Sequence, residues 1–182
     1  DHWAYTYIEF MATRGIVSGY PDGTFRPNNS ATRAQLSKMI TIANGWPVVT
    51  PATPSFRDVP TSNSFYSYVE TVKAHNVISG YPCGGANEPC PGSYFRPNNN
   101  VTRAQSSKMI VVAFGWPINT TGGPHFSDVG PTNPFYNFVE TAYHHTIISG
   151  YGDGTFRWGN NATRGQISKI LWNALGSPGP AK

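Results

Sequence analysis

Charged residues are scarce in this chain of 182 residues, since Asp, Glu, Lys and Arg together make up only 12% of it. A typical soluble domain has about 25%. The formal net charge of +4 comes from scattered lysines and arginines rather than from a basic run. Proteins that bind nucleic acid usually carry a continuous basic surface. Nucleic acid is therefore not an expected partner.

Long apolar runs are also missing. No segment reaches the roughly 20 apolar residues that a membrane-spanning helix needs, so we expect no membrane insertion. Only nine acidic residues are present, and none recurs as the pair of carboxylates with which a glycoside hydrolase cleaves its bond. No pair of nucleophile and base stands out either. The sequence predicts that the protein is not an enzyme.

Cysteine is limited to two residues, Cys83 and Cys90, which bracket a short segment. Such a segment can be closed by a disulfide in an oxidising compartment. A zinc site is the alternative, but it needs four ligands and no histidine lies in the same segment. The five histidines are scattered, and the adjacent His144 and His145 would point in different directions on a helix. We predict a disulfide, no metal site and no cofactor.

Internal repetition is what the sequence has in abundance. Two β-branched residues followed by Ser-Gly-Tyr occur three times, each time ahead of a Phe-Arg pair and a Thr-Arg-Ala/Gly-Gln segment. Repetition on this scale is typical of repeat architectures. We divide the chain into unit 1 (residues 1–50), unit 2 (51–121), unit 3 (122–176) and a linker or tail (177–182).

The units differ in two respects. Unit 2 contains an insertion that carries both cysteines. Units 2 and 3 open on a Phe-x-Asp-Val segment, at residues 56–59 and 126–129, which unit 1 lacks. We therefore expect unit 1 to be truncated at its N-terminal side and the chain to be part of a longer protein.

Each unit predicts two helices joined by a loop rich in turn residues. Ala4, Tyr7, Ile8 and Met11 show helical spacing, and a second apolar stripe begins at Leu36. A pair of short helices cannot bury its own apolar faces, so the three pairs should share one central core. The expected fold is mainly α, with three helix-loop-helix repeats in a pseudo-threefold arrangement.

The start of each second helix has a pattern that stability explains only in part. Thr, followed three residues later by Gln, forms a capping box. The residue after Thr is always arginine, although a cation in the first turn opposes the helix dipole. A guanidinium beside unpaired helix amides can instead bind a carboxylate. We predict anion binding by Arg33, Arg103 and Arg164, with a structural salt bridge as the alternative.

The segments GYPDGTFRPNNSATRAQ, YFRPNNNVTRAQ and GYGDGTFRWGNNATRGQ resemble the motifs of the S-layer homology family, over nearly the whole chain. The resemblance implies a three-pronged, mostly helical fold whose grooves bind secondary cell-wall polysaccharide, commonly with a pyruvate ketal. It also implies that Arg33, Arg103 and Arg164 are the arginines of the family's Thr-Arg-Ala-Glu motif. Here Gln replaces the usual Glu, and unit 2 lacks the Asp-Gly turn. The three grooves need not be equivalent.

Exposed aromatic rings and turn carboxylates are further candidates for contacts with a sugar. They are Tyr20, Tyr81, Tyr151, Trp158, Asp22 and Asp153. Core packing is the alternative for the tyrosines, and a tight turn is the alternative for the aspartates.

Together these features predict an extracellular module at the cell surface or in an S-layer. It would anchor a protein non-covalently to an anionic, pyruvylated cell-wall polysaccharide. The alternative function is that of a self-assembling structural subunit, in a surface layer or an extracellular fibre. In that case its partners would be copies of itself.

Overall fold

A computed structural model describes residues 2–176, and α-helices dominate this part of the chain. They are α1 Tyr5–Thr13, α2 Arg33–Ala43, α3 Tyr66–Ala74, α4 Arg103–Ala113, α5 Tyr136–His144 and α6 Arg164–Ala174. Two short strands, β1 Tyr81–Pro82 and β2 Ser93–Tyr94, pair antiparallel. The prediction of a mainly α fold with two helices per unit is confirmed. The predicted tail at 177–182 lies outside the described residues.

None of the helices in residues 2–176 combines the length and the apolar content that crossing a membrane requires.

The second helix of each unit begins at a capping box. In α2, the Thr32 hydroxyl accepts a hydrogen bond from the Gln35 amide at 3.2 Å. The Gln35 side chain accepts one from the Thr32 amide at 3.1 Å. The same pair of bonds opens α4 and α6. Helix capping is therefore the local role of Thr and Gln, as the pattern predicts.

The first helix of each unit ends at a residue in the left-handed conformation. Gly15, Asn76 and Thr146 have φ of 67°, 58° and 55°. In unit 3 the amide after this residue, that of Ile147, donates to the Ala142 carbonyl at 3.1 Å. Ile147 is 2% exposed. A branched side chain is disfavoured at this φ. Thr146 nevertheless adopts it where a glycine is usual, because the hydrogen bond and the burial of Ile147 stabilise this helix end.

The loops ahead of the second helices meet in a closed ring of backbone hydrogen bonds. Ala31 donates to Ala162, Ala162 donates to Val101, and Val101 donates to Ala31, each at 2.9 Å. All three residues have no exposed surface. The ring joins each unit to both of the others, a cyclic connection that is compatible with the predicted pseudo-threefold arrangement.

The helices that pack side by side come from different units. α2 lies against α3, α4 against α5 and α6 against α1, while α2, α4 and α6 also contact one another. Buried residues of all three units form one hydrophobic cluster, in which Leu36, Ile110 and Ile167 are fully buried. Each second helix thus covers the first helix of the next unit around the ring, and the core is shared as expected.

The insertion in unit 2 is closed by a disulfide between Cys83 and Cys90, whose Cα atoms lie 5.4 Å apart. This confirms the predicted pairing. Glu88 lies inside the loop and accepts hydrogen bonds from Arg96 Nε at 2.8 Å and Nη2 at 2.9 Å. It also accepts one from the Gly85 amide at 2.7 Å. The Arg96 guanidinium lowers the pKa of Glu88 from 4.5 to about 2.

This pair makes stability depend on pH in a defined window. The pKa of Glu88 is lower in the folded chain than in the unfolded one, so its contribution is present above pH 4.5 and is lost as pH falls toward about 2. Glu88→Gln should therefore melt at a lower temperature than wild type at pH 7, and the difference should shrink as pH falls from 4.5 toward about 2. Thermal melts at stepped pH measure this. Glu9→Gln, on the exposed face of α1, is the control, and a constant difference between Glu88→Gln and wild type would contradict the prediction.

Candidate functional site

The three arginines that open the second helices are largely buried. Arg33, Arg103 and Arg164 are 7%, 7% and 8% exposed. Each guanidinium lies close to a phenylalanine ring and a tyrosine ring that belong to the following unit, with unit 1 following unit 3. The distances to the two ring centroids are 4.6 and 4.9 Å for Arg33 (Phe95, Tyr81), 4.3 and 5.0 Å for Arg103 (Phe156, Tyr151) and 4.3 and 5.0 Å for Arg164 (Phe25, Tyr20). Each guanidinium therefore contacts two aromatic rings.

Hydrogen bonds tie each arginine to the same neighbouring loop. Nε donates to a phenylalanine carbonyl in all three units, at 2.9 Å (Arg33 to Phe95), 2.8 Å (Arg103 to Phe156) and 3.0 Å (Arg164 to Phe25). Nη2 of Arg164 also donates to the Ser18 carbonyl at 2.8 Å. The arginines thus join the units, a structural role that the sequence pattern did not indicate, and Arg103 and Arg164 also line the two pockets described below.

The arginines form no ion pair in the part of the chain that the structure describes, although Asp58 and Asp128 act on the pKa of Arg33 and Arg103 over a longer distance and oppose the effect of burial. None of the ion pairs among residues 2–176 involves Arg33, Arg103 or Arg164. The structural salt bridge considered as an alternative is therefore absent from this part of the chain. Burial lowers the pKa of all three guanidinium groups, yet arginine stays charged at neutral pH. An anionic ligand would compensate such a charge.

The helix amides expected to be free for an anion are occupied. The amides of Arg33 and Ala34 donate to the carbonyls of Asn99 and Pro97 at 2.9 and 3.1 Å. The first turns of α4 and α6 are bonded in the same way to the loops of units 3 and 1. The prediction that these helix amides are unpaired was wrong, because they bond to carbonyls of the neighbouring units and hold the units together. An anion at this site would be bound by side chains.

The motif tyrosines form the next layer of each stack. Tyr20, Tyr81 and Tyr151 are partly exposed. A second arginine lies against each ring, at 4.2 Å (Arg26), 4.6 Å (Arg96) and 3.9 Å (Arg157). Each tyrosine therefore contacts one buried and one more exposed guanidinium, and Tyr20 and Tyr151 line the two pockets described below.

A pocket of about 340 Å³ lies beside the Arg103 stack. It is lined by Arg103 and Tyr151, by Gln166 and Lys169 of α6, and by Trp3 of unit 1. The volume is within the range of small-ligand sites, about 300–1,000 Å³. This groove combines two cations, an amide and aromatic surface.

A smaller pocket of about 120 Å³ lies beside the Arg164 stack and repeats this plan. It is lined by Arg164, Tyr20, Gln35 and Lys38 and by Phe65, an aromatic residue of the following unit, as Trp3 is in the larger pocket. In both grooves the arginine comes from the preceding unit and the lysine from the unit's own second helix. The grooves are therefore formed between units and differ in size.

The groove lysines and Trp3 were missed from the sequence. Lys38 and Lys169 fit the pattern of solvated residues on an amphipathic helix, but they line the two pockets and are only partly exposed. The available signal was that Ser-Lys recurs at the same distance from the capping Thr in every unit. Trp3 has no repeated counterpart, so no pattern pointed to it.

The two turn aspartates lie outside these pockets and are held by their own turns. Asp22 accepts hydrogen bonds from the amide and hydroxyl of Thr24, at 3.0 and 2.6 Å, and pairs with Arg26 at 2.7 Å. These contacts hold its pKa well below the ordinary range. Equivalent contacts with Thr155 and Arg157 lower the pKa of Asp153 to about 2. Turn formation accounts for the positions of both residues.

Trp158 lies elsewhere, with its ring centroid 6.3 Å from that of Phe135 at the start of α5. It is 37% exposed, and its backbone carbonyl accepts a hydrogen bond from the Ala104 amide at 3.1 Å. Its ring is therefore accessible, but at a different place from the Arg103 and Arg164 pockets.

Several known proteins are similar to this chain. An endoglucanase from Bacillus sp. (strain KSM-635) is 28% identical over 178 residues, which cover 95% of this chain and 18% of that protein. A cellulosome-anchoring protein from Acetivibrio thermocellus is 32% identical over 118 residues, or 60% of this chain and 23% of that protein. S-layer protein EA1 from Bacillus anthracis is 32% identical over 114 residues, which cover 62% of this chain and 12% of that protein. The chain thus spans less than a quarter of each of these relatives.

The family model of the S-layer homology domain matches three segments, residues 1–37, 55–105 and 125–167. Each segment lies in one of the three units and includes most of its groove-forming loop. Since the matches cover well over half of the residues, the chain belongs to the S-layer homology domain family.

Proposed function

We propose that this chain anchors an extracellular protein to the cell wall by binding an anionic, pyruvylated polysaccharide in the grooves between its units. Family membership and the surface-layer and cellulosome-anchoring relatives indicate a location at the cell surface or wall. The observation that carries the proposal is the buried guanidinium at the wall of each described pocket, which has no carboxylate partner among residues 2–176.

A pyruvate ketal presents a planar carboxylate, and a guanidinium can donate two parallel hydrogen bonds to such a group. Two aromatic rings and the Phe156 carbonyl restrict the guanidinium of Arg103, so little entropy is lost on binding. Lys169 adds a second cation, and Trp3 offers an apolar surface for a sugar face. The two cations would bind the acidic sugar, and the Trp3 ring would contact a neighbouring sugar of the same glycan.

More than one groove can contribute to anchoring. A polysaccharide repeats its acidic sugar, so one glycan chain or its neighbours can occupy two grooves of the same molecule. Once one groove is filled, the second binding event is intramolecular, which raises the overall affinity without new contacts. Weak binding at each groove would then be enough to hold a surface protein.

We propose no catalytic role for this chain. The name endoglucanase belongs to a relative of which the match covers 18%. Three of the carboxylates described here, those of Asp22, Glu88 and Asp153, are engaged in ion pairs with arginines. A paired, low-pKa carboxylate is a poor general acid at neutral pH.

The test is co-sedimentation of the chain with purified cell wall, before and after mild acid removal of pyruvate. We expect the protein to pellet with the intact wall and to stay in solution after the treatment. Pelleting that is unchanged by the treatment would contradict recognition of pyruvate. Pelleting without any wall would instead favour the alternative, self-assembly into a surface layer or fibre.

A further inference from the structure

Unit 3 contains a cluster of two histidines and a glutamate that lies apart from the two grooves. One ring nitrogen of His125, one of His144 and a carboxylate oxygen of Glu140 lie within 4.8 Å of one another. Glu140 and His144 are four residues apart on α5, so they share one face of the helix. His125 comes from the segment ahead of Phe126 that packs against it. We propose that these three side chains form a binding site for Zn²⁺.

The donor set favours a transition-metal ion, for which we take Zn²⁺, over calcium or magnesium. Two imidazoles and a carboxylate are ligands that zinc accepts in proteins, whereas calcium and magnesium are bound by oxygen ligands. Three protein ligands leave a fourth position for water or a further donor. Atoms bound to one tetrahedral zinc at about 2.0–2.2 Å lie roughly 3.3–3.6 Å apart, so His125 Nδ1 and Glu140 Oε2, now 2.5 Å apart, must separate by about 1 Å to admit the ion.

The surroundings of the cluster hold its side chains in position. Glu140 has no exposed surface, and its second oxygen accepts a hydrogen bond from the His125 amide at 3.1 Å. The His125 ring stacks on Tyr143 with centroids 4.1 Å apart. His144 Nε2 lies 2.8 Å from the Thr121 carbonyl. Outer contacts of this kind orient the ligands of protein metal sites.

Unit 2 provides an internal comparison, because the same fold position there lacks both histidines. Glu70 corresponds to Glu140 and accepts hydrogen bonds from the Ser55 amide at 2.8 Å and hydroxyl at 2.6 Å. Ser55 stands in the place of His125, and Ala74 in the place of His144. The fold therefore needs only a buried carboxylate bonded to the preceding segment. The two histidines of unit 3 go beyond that need and complete a set of metal ligands.

Zinc binding would clamp the segment around His125 to α5. The ion would replace the proton between His125 Nδ1 and Glu140 Oε2 and add His144 as a third ligand. Binding to the folded state alone raises the melting temperature in proportion to the logarithm of free zinc. The site thus gives unit 3 a metal-dependent cross-link at the position where unit 2 has a hydrogen bond.

The experiment is zinc titration of the chain without a histidine tag, followed by calorimetry and by the melting temperature. We expect one equivalent of Zn²⁺ to bind and to raise the melting temperature. Cobalt as a probe should give the visible absorption of a tetrahedral site. His144→Ala, which copies unit 2, should weaken binding at least about tenfold, since even the loss of an outer-shell partner costs that much.

Two further variants make the outcome decisive. The double variant His125→Ser/His144→Ala gives unit 3 the residues that unit 2 has at the same positions. Because unit 2 folds with these residues, the variant should fold, and it should not bind zinc. His145→Ala removes the adjacent histidine, which stacks on Trp116 with centroids 4.0 Å apart, and should leave binding unchanged. The proposal is overturned if wild type shows no stoichiometric binding, or if the double variant binds as tightly as wild type.

Discussion

Arg103→Ala should weaken binding to the pyruvylated wall by about ten- to a hundredfold, because hydrogen bonds to a charged group are worth about 1.5–3 kcal/mol. Arg103 lines the larger groove and has no carboxylate partner among residues 2–176. The bound fraction in co-sedimentation at increasing wall concentration measures the effect. Replacing Arg33, Arg103 and Arg164 together should abolish pelleting.

The structural role of Arg103 requires a matched control, since its Nε also holds the loop of unit 3 through the Phe156 carbonyl. Arg157→Ala removes the same charge from a second guanidinium that lies against the same Tyr151 ring. Arg157 is exposed and already paired with Asp153 at 3.0 Å, so this variant should bind nearly as well as wild type. Equal losses in the two variants would mean that only net charge matters.

Arg103→Lys separates charge from shape. Lysine keeps the cation but lacks the planar fork that donates two parallel hydrogen bonds. We expect an affinity between those of wild type and Arg103→Ala. Each variant is first melted, and binding is compared only at temperatures where all of them are folded. A fully folded Arg103→Ala that binds like wild type would refute the role of this arginine.

Gly80→Ala should lower the free energy of unfolding by roughly 2–5 kcal/mol. Gly80 is the glycine of the Ser-Gly-Tyr segment in unit 2 and has φ of 78°. A Cβ atom there would lie 2.3 Å from Cε1 of Phe56, whose ring is 1% exposed. The variant therefore combines an unfavourable backbone conformation with a clash in a closed core. Denaturant unfolding measures the loss.

Gly15→Ala is the control that isolates the clash. Gly15 has a similar φ of 67°, and nothing lies within 4 Å of the position of its added Cβ. Gly15→Ala should lower the free energy of unfolding only by the cost of the left-handed backbone, which is about 1–2 kcal/mol. The difference between the two variants then measures the contact with Phe56. Equal losses would show that the Phe56 ring moves aside without cost.

Many features of this protein were predictable from sequence because they depend on residues close together in the chain. The capping box at Thr32 involves residues three apart, and the disulfide joins Cys83 and Cys90 across a short loop. Helical spacing, left-handed helix ends and repetition are likewise local patterns. They were sufficient to predict the helices, their order and the resemblance to a family.

Tertiary structure decided what the arginines and histidines contact. Arg164 donates to the Phe25 carbonyl across 139 residues, and the paired helix amides that excluded a backbone anion site are bonded to loops of other units. His125 meets Glu140 and His144 only because its segment packs on α5. Such contacts depend on how the loops bring distant units together, and a local pattern of residues contains no information about that path.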